Sequence, residues 1–340
     1  MTTQSSLDRL VGSPRHTGAV MATGGLSGPV QVASAGDLGA DTPFFAASAT
    51  KLMLTALMLM QENAGLSLDT PFRAILTGPD SAGLHVQGGN DSTDRITLRM
   101  LLQHTSGLPD YFESATPAKG LLADLTHGRD RSWTFAEAME IARRLGPVGK
   151  PGDLRRAHYS DTNFQILGQV IAVLEGRGLA DVMTRRLFAP LGLRSTWLYD
   201  DPADARPAPL RYKDRALPIP QAMASFQGDG GMVTTATEGL ALVRAFFGGV
   251  WFPSARVVGL QDWRPAWFPL SYGTGIMRFA LPRVMTLFRR MPPLIGHSGL
   301  SGAVLFHCPH TGLCMAGTVN QIDRPGTVFR VMAQVAMGSR

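Results

Sequence analysis

The chain has 340 residues, of which 44% are hydrophobic and 17% charged, with a formal net charge of +6. That composition is globular, leaves room for about two structural domains, and excludes collagen, coiled-coil and disordered classes. The basic excess is scattered, with no run of five basic residues, so no nucleic acid is expected as a partner. The longest apolar stretch, Leu52 to Met60, is too short to span a bilayer, so no membrane partner is expected either. The N-terminal segment Met1-Thr2-Thr3-Gln4 lacks a basic region followed by an apolar one. Two cysteines, Cys308 and Cys314, are too few for a disulfide framework and have no metal-ligand spacing; they read as free, buried thiols. The expectation is a cytoplasmic protein without metal or other cofactor.

Two short apolar runs, Gly18 to Thr23 and Val30 to Ala33, surround a glycine-rich stretch and predict a hairpin. Dense apolar spacing from Leu52 to Met60 predicts a buried helix that begins near Ser48 and ends before Gly65. Residues 66–225 read as helical and loop-rich, with helices over 97–103, 135–145, 163–174 and 180–187. A further helix follows over 237–247. Strand-like segments come next over 273–279, 294–297, 302–307 and 313–319, and the chain closes on a helix over 329–337. Strands at both ends imply one α+β sheet domain built from residues 1–65 and 226–340, with a mostly helical domain, 66–225, inserted between them. The junction of two such lobes is a common place for a small-molecule site.

Three sets of residues carry chemistry. Ser48-Ala49-Thr50-Lys51 places a hydroxyl and an amine three positions apart, on one face of a helix. Beside so apolar a helix, Lys51 needs polar partners. Tyr159-Ser160-Asp161 precedes the helix containing Phe164 and Ile166. A phenol close to an ammonium ionises more easily and can act as a general base. His297-Ser298-Gly299-Leu300 follows a strand, and glycine there lets the strand edge lie close to a ligand. The amides of Ser48 and Leu300 could then form an oxyanion hole. Gly296 to Leu300 also looks like an α/β-hydrolase elbow, but no histidine follows Asp323 to complete a triad on Ser298.

In this order, the three sets resemble the class C β-lactamases, serine D-alanyl-D-alanine peptidases and related esterases, for which a Ser-x-x-Lys signature is characteristic. The segment Ile96 to Tyr111, and the stretches Leu191 to Thr196 and Gly230 to Ala236, look like the same family. The resemblance implies a five-stranded type of antiparallel sheet flanked by helices with a helical lobe, the β-lactamase/transpeptidase-like fold. It implies that Ser48 is acylated, that Lys51 and Tyr159 share the proton work, and that the Ser48 and Leu300 amides hold the oxyanion. His297, Ser298, Gly299 and Asp161 would contact the substrate. Two departures stand out. Asp161 occupies a position where the β-lactamases and peptidases usually have asparagine, adding negative charge beside Lys51. His297 and Ser298 replace lysine and threonine, and a neutral histidine binds a substrate carboxylate less well. Both shift the expected substrate from β-lactams towards a small-molecule ester or amide. His104 and Tyr111 read as loop packing beside the cleft. Trp263, Trp267 and Phe268 read either as core or as an aromatic wall for an acyl or alcohol group.

Overall fold

Alternation of apolar side chains along both terminal thirds of the chain gives strands that bury both faces, and these strands assemble into a single antiparallel sheet. In the computed structural model, which describes residues 2–13, 15–113, 120–286 and 291–338, eight strands form it: β1 (Gly18–Gly24), β2 (Gln31–Gly36), β3 (Arg264–Pro265), β4 (Leu270–Tyr272), β5 (Met277–Phe279), β6 (Leu294–Ser298), β7 (Ala303–His307) and β8 (Cys314–Thr318). Their order is β3-β4-β5-β6-β7-β8-β1-β2. The five strands from β6 to β2 are the expected sheet, and β3 to β5 extend it beyond β6. Of the strand expected over 273–279 only Met277–Phe279 forms, because Gly273 and Gly275 make a turn in which the Gly273 amide donates to the Ile276 carbonyl at 2.8 Å. The expected helix over 180–187 is an α-helix over Leu179–Met183 that widens into a π turn over Thr184–Phe188.

Each face of the sheet carries its own core. Val20, Ala22, Ile295, Leu305 and Ala316 belong to the core on one face, with α2 (Thr50–Asn63) and α4 (Ala236–Gly248). Met21, Leu294, Val304, Phe306 and Met315 form the core on the other, with α1 (Thr3–Val11) and α5 (Gly326–Gly338). The period-2 alternation of β7 between these two sets is what a strand buried on both sides requires. Helix α1 is absent from the sequence reading; it is capped by the Thr2 side chain, which accepts from the Ser5 amide, and it buries Leu7. Cys308 and Cys314 are free and buried.

Helix α2 is apolar all round and buried along its first ten residues, as a helix at the centre of a protein must be. Beside it lies α3 (Asp161–Glu175). A small three-stranded sheet joins Phe44–Phe45, Met232–Thr234 and Trp197–Leu198, tying the chain just before Ser48 to the chain just after residue 229. Among the described residues no helix is long and apolar enough to cross a membrane.

Candidate active site

Ser48 lies in a 3-10 turn, Ala47–Ala49, that runs directly into α2. The residue before it, Ala47, has φ of 46°, in the left-handed region that costs a non-glycine residue about 1 kcal/mol or more. The surroundings hold it there. The Ala46 amide donates to the Met232 carbonyl at 2.8 Å, and the Thr50 hydroxyl donates to the Ala47 carbonyl at 2.7 Å while accepting from the Met232 amide at 3.0 Å. From the other side, the Ser301 hydroxyl donates to the Phe45 carbonyl at 2.8 Å. Gly299 approaches so closely that a β-carbon on it would lie 2.2 Å from the Ala46 carbonyl oxygen. The chain leaving β6 therefore passes directly against the serine turn.

Lys51 is 0% exposed. Its Nζ donates to Ser48 Oγ at 3.0 Å and to the Asp229 backbone carbonyl, and it pairs with Asp161 Oδ1 at 2.7 Å. The rings of Tyr159 and Phe164 lie 5.2 and 5.5 Å from it. Only such a full set of partners makes a buried ammonium tolerable. The Tyr159 phenol lies near enough to Ser48 for that hydroxyl to favour its ionisation. Because Lys51 donates to the serine oxygen, the serine proton is free to point at the phenol. The hydroxyl, amine and phenol expected to act together thus meet in space.

Tyr159 is held from behind by the loop leading to Tyr111. The Ser160 and Thr162 hydroxyls donate to the Pro109 carbonyl at 2.8 and 2.6 Å. His104 stacks on Tyr159 with ring centroids 4.4 Å apart. Its Nδ1 accepts from the Ser160 amide at 3.1 Å and from Asn163 Nδ2 at 3.0 Å, so its proton sits on Nε2. His104 and Tyr111 are both buried beside the site, as their packing reading required.

The electrostatics differ from expectation. Burial, followed by the Asp161 carboxylate, pushes the Tyr159 phenol well above its ordinary range, and the Ser48 hydroxyl offsets this only partly. The resting phenol is therefore protonated, and proximity to Lys51 does not make it a phenolate. His297 is buried, and burial together with the Lys51 charge lowers it to about 3. Its Nδ1 bonds the Ser298 carbonyl at 2.8 Å, which fixes the proton there, so Nε2 accepts from the Tyr272 hydroxyl at 2.9 Å. The Ser298 hydroxyl donates to Met277 Sδ at 3.6 Å. Of the four positions expected to contact substrate, Asp161 lines the pocket at Ser48 and Gly299 adjoins the serine turn. The side chains of His297 and Ser298 are occupied by protein partners.

That pocket is narrow, about 50 Å³, and Leu300 shares it with Ser48. Its polar lining is acidic: Glu113, Asp161 and Asp229, against apolar walls that include Leu122, Ile219 and Phe226. The Asp229 Oδ2 accepts from the Tyr111 hydroxyl at 2.7 Å, and that hydroxyl in turn accepts from Gln165 Nε2 at 3.2 Å and Trp133 Nε1 at 3.3 Å. Asp229 Oδ1 is buried without a hydrogen-bond partner. Burial raises Asp229 and Asp110 well above the usual carboxyl range and raises Glu113 too, each reinforced by the charge on Asp161. The sequence reading missed Asp229 and Glu113. The signal available was position: Asp229 directly precedes the family-like stretch at Gly230, and Glu113 lies two residues past the family-like loop ending at Tyr111. Among the described residues, no group of three His, Cys, Asp or Glu side chains could hold a metal ion.

Comparison with known proteins bears on the family and the fold. A D-aminopeptidase from Brucella anthropi is 35% identical over 115 residues, covering 32% of this chain and 20% of the relative; the chain thus spans about a fifth of that protein's length. The D-amino acid amidase of Ochrobactrum anthropi SV3 superposes with a TM-score of 0.78 at 23% identity, covering 98% of this chain and 99% of the amidase. EstCE1, described as a hydrolase with promiscuous acyltransferase activity, gives 0.77 at 21% identity, covering 99% of this chain and 97% of its own. At those identities the structural likeness is one of fold. The beta-lactamase family matches residues 6–333, nearly the whole chain. With the fold, the order of its motifs and that match in agreement, the chain belongs to the beta-lactamase family of serine hydrolases.

Proposed function

We propose that the protein cleaves a small ester or amide through an acyl-enzyme on Ser48, at the seam between the sheet built from both chain ends and the helical segment inserted between them. The observation that carries this reading is the contact of Lys51 Nζ with Ser48 Oγ at 3.0 Å, with the Tyr159 ring 5.2 Å from the same ammonium. In the reactive form the Tyr159–Lys51 pair has first given up a proton to solvent; the serine oxygen then attacks the substrate carbonyl and its proton passes to the vacated site on Tyr159. The Ser48 and Leu300 amides hold the developing oxyanion. The leaving group departs with a proton returned by Tyr159, and water, deprotonated by the same pair, releases the acid and frees Ser48.

Two features favour an ester or a simple amide over a β-lactam. A β-lactam antibiotic brings a carboxylate, and here His297 is neutral with both nitrogens engaged. Among the described residues that line the pocket there is also no lysine, arginine or histidine to hold a substrate anion. The pocket's carboxyls and apolar walls suit an acyl group carrying an ammonium beside an apolar side chain, which agrees with the aminopeptidase and amidase names among its relatives. The two free, buried cysteines support a cytoplasmic setting.

A fluorophosphonate probe tests the nucleophile: the adduct is expected on Ser48 and absent from Ser48→Ala, with hydrolysis reduced by about three orders of magnitude or more. A panel of aryl esters, amino-acid amides and a chromogenic cephalosporin tests the substrate class. Cephalosporin turnover outpacing the esters and amides would overturn the preference; an unlabelled Ser48 in folded protein would overturn the mechanism.

A further inference from the structure

A second concavity opens beside Trp267, whose indole adjoins the Tyr159 ring. It has a volume of about 440 Å³ and is walled by Pro265, Trp267, Phe268, Pro269, Leu281 and Pro282. We propose that this groove is the leaving-group subsite, and that it takes a flat, uncharged aromatic alcohol or amine. The inference rests on the acyl-hydrolase reading of Ser48.

The reaction itself restricts where the leaving group can lie. The acyl portion occupies the pocket shared by Ser48, Asp161 and Leu300. The departing atom must receive its proton from the Tyr159 phenol, so the rest of the leaving group extends over Tyr159. The next side chain outward is Trp267, whose indole meets the Tyr159 ring edge-on with centroids 5.4 Å apart. Trp267 also forms the near wall of the groove. The segment is fastened to the irregular stretch that leads into Tyr159: the Ala157 amide donates to the Pro265 carbonyl at 3.0 Å, and Arg156 Nη2 donates to the Ala266 carbonyl at 2.8 Å. Groove and phenol are thus parts of one rigid unit.

The chemistry of the walls selects the occupant. Trp267 is 45% exposed and Phe268 67% exposed, and among the described residues they are the only aromatics that far out. Two adjacent exposed rings at the mouth of a site offer a stacking surface. Among the described residues the groove's one ionisable wall residue, Arg278, lays its guanidinium over Trp263 at 5.3 Å. A cationic leaving group is therefore disfavoured here, the reverse of the acidic pocket across Ser48.

The experiment uses the full chain and two esters that share one acyl group, a 2-naphthylmethyl and an ethyl ester, whose alcohols differ in ring surface and little in leaving ability. The parent protein is expected to prefer the naphthylmethyl ester in kcat/KM by about tenfold or more, as apolar pockets discriminate by such factors. Trp267→Ala and Phe268→Ala should each erase most of that ratio, and Trp267→Phe should restore part of it. A parent without preference, or variants that keep the parent's ratio, would overturn the inference. Fluorophosphonate labelling of Ser48 in the same samples separates the two failures. Labelled Ser48 without a ring preference sinks only the groove, whereas unlabelled Ser48 sinks the hydrolase reading on which it stands.

Discussion

Asp161 couples the two groups that must move the serine proton. It pairs with Lys51 at 2.7 Å, and it is the largest charge raising Tyr159. A phenol held above its ordinary range must lose its proton before it can accept one, so kcat/KM should rise along an alkaline limb. Asp161→Asn removes the negative charge and so moves that limb to lower pH. An unmoved limb in the pH profile of Asp161→Asn would show that Tyr159 does not set it. At this scale the sequence was informative about identity and poor on environment. The nearness of Ser48, Lys51 and Tyr159 in space was legible because each sits in a short ordered motif. The protonation of Tyr159 was not, because burial and the Asp110 and Glu113 charges come from a loop some fifty positions away in the chain, brought close only by folding. The occupation of His297 was equally hidden, since its partner Tyr272 stands on β4, 25 positions earlier.

Elements place these residues through a few close approaches. The sharpest is the passage of Gly299 against the serine turn, where an added methyl group would lie 2.2 Å from the Ala46 carbonyl and 2.9 Å from the Ala47 β-carbon. Gly299→Ala must push the end of β6 away from Ala47, and with it Leu300 away from Ser48. We expect a drop in acylation of about a hundredfold, the scale of losing one oxyanion donor. The thermal midpoint should move by only a few degrees. Burst-phase kinetics read the first and calorimetry the second; near-parent acylation would mean that the turn tolerates separation. Strands and helices were mostly legible, because their apolar periods are strong: the hairpin of β1 and β2, helix α2 and strands β6 to β8 lie where the pattern put them. Strand β4 and the turn between it and β5 were missed, because a Gly-x-Gly turn beside an apolar run keeps the run's apolar character. Helix α1 was missed because, of its nine residues, only Ser6 and Leu7 are buried, too few to impose a period.

For the molecule as a whole, the charge balance is inverted at the centre. The chain carries a formal +6, yet the pocket at Ser48 is lined by carboxyls whose affinity for protons burial has raised. Asp229 is a clear case. Folded, it holds its proton well above the ordinary range; unfolded, it releases it near pH 4. Its contribution to stability is therefore fully present below about pH 4 and is lost as the pH rises through the folded value. Asp229→Asn keeps an oxygen for the Tyr111 hydroxyl without a proton to lose. The melting temperature of the variant should therefore gain on that of the parent as the pH is raised from 4 to 8, and a difference constant across that range would refute the assignment. A site that costs stability in this way is consistent with functional groups held in unfavourable surroundings.

The bond from the Met232 amide to the Thr50 hydroxyl joins positions 182 apart in the chain, and the pairing of Phe44 with Thr234 lies beside it. Everything between those positions is in effect one very long loop closed at its neck, and the neck is where the nucleophile stands. The two strands that fix the backbone around Ser48 cannot meet until the intervening half of the polypeptide has been gathered in, an entropic demand that local contacts do not relieve. Chain collapse and pairing of the locally connected strands β6 to β8 can therefore run ahead of chemical competence. Reactivity arrives with the closing of the neck, so an incompletely folded molecule has no working hydrolase to misdirect.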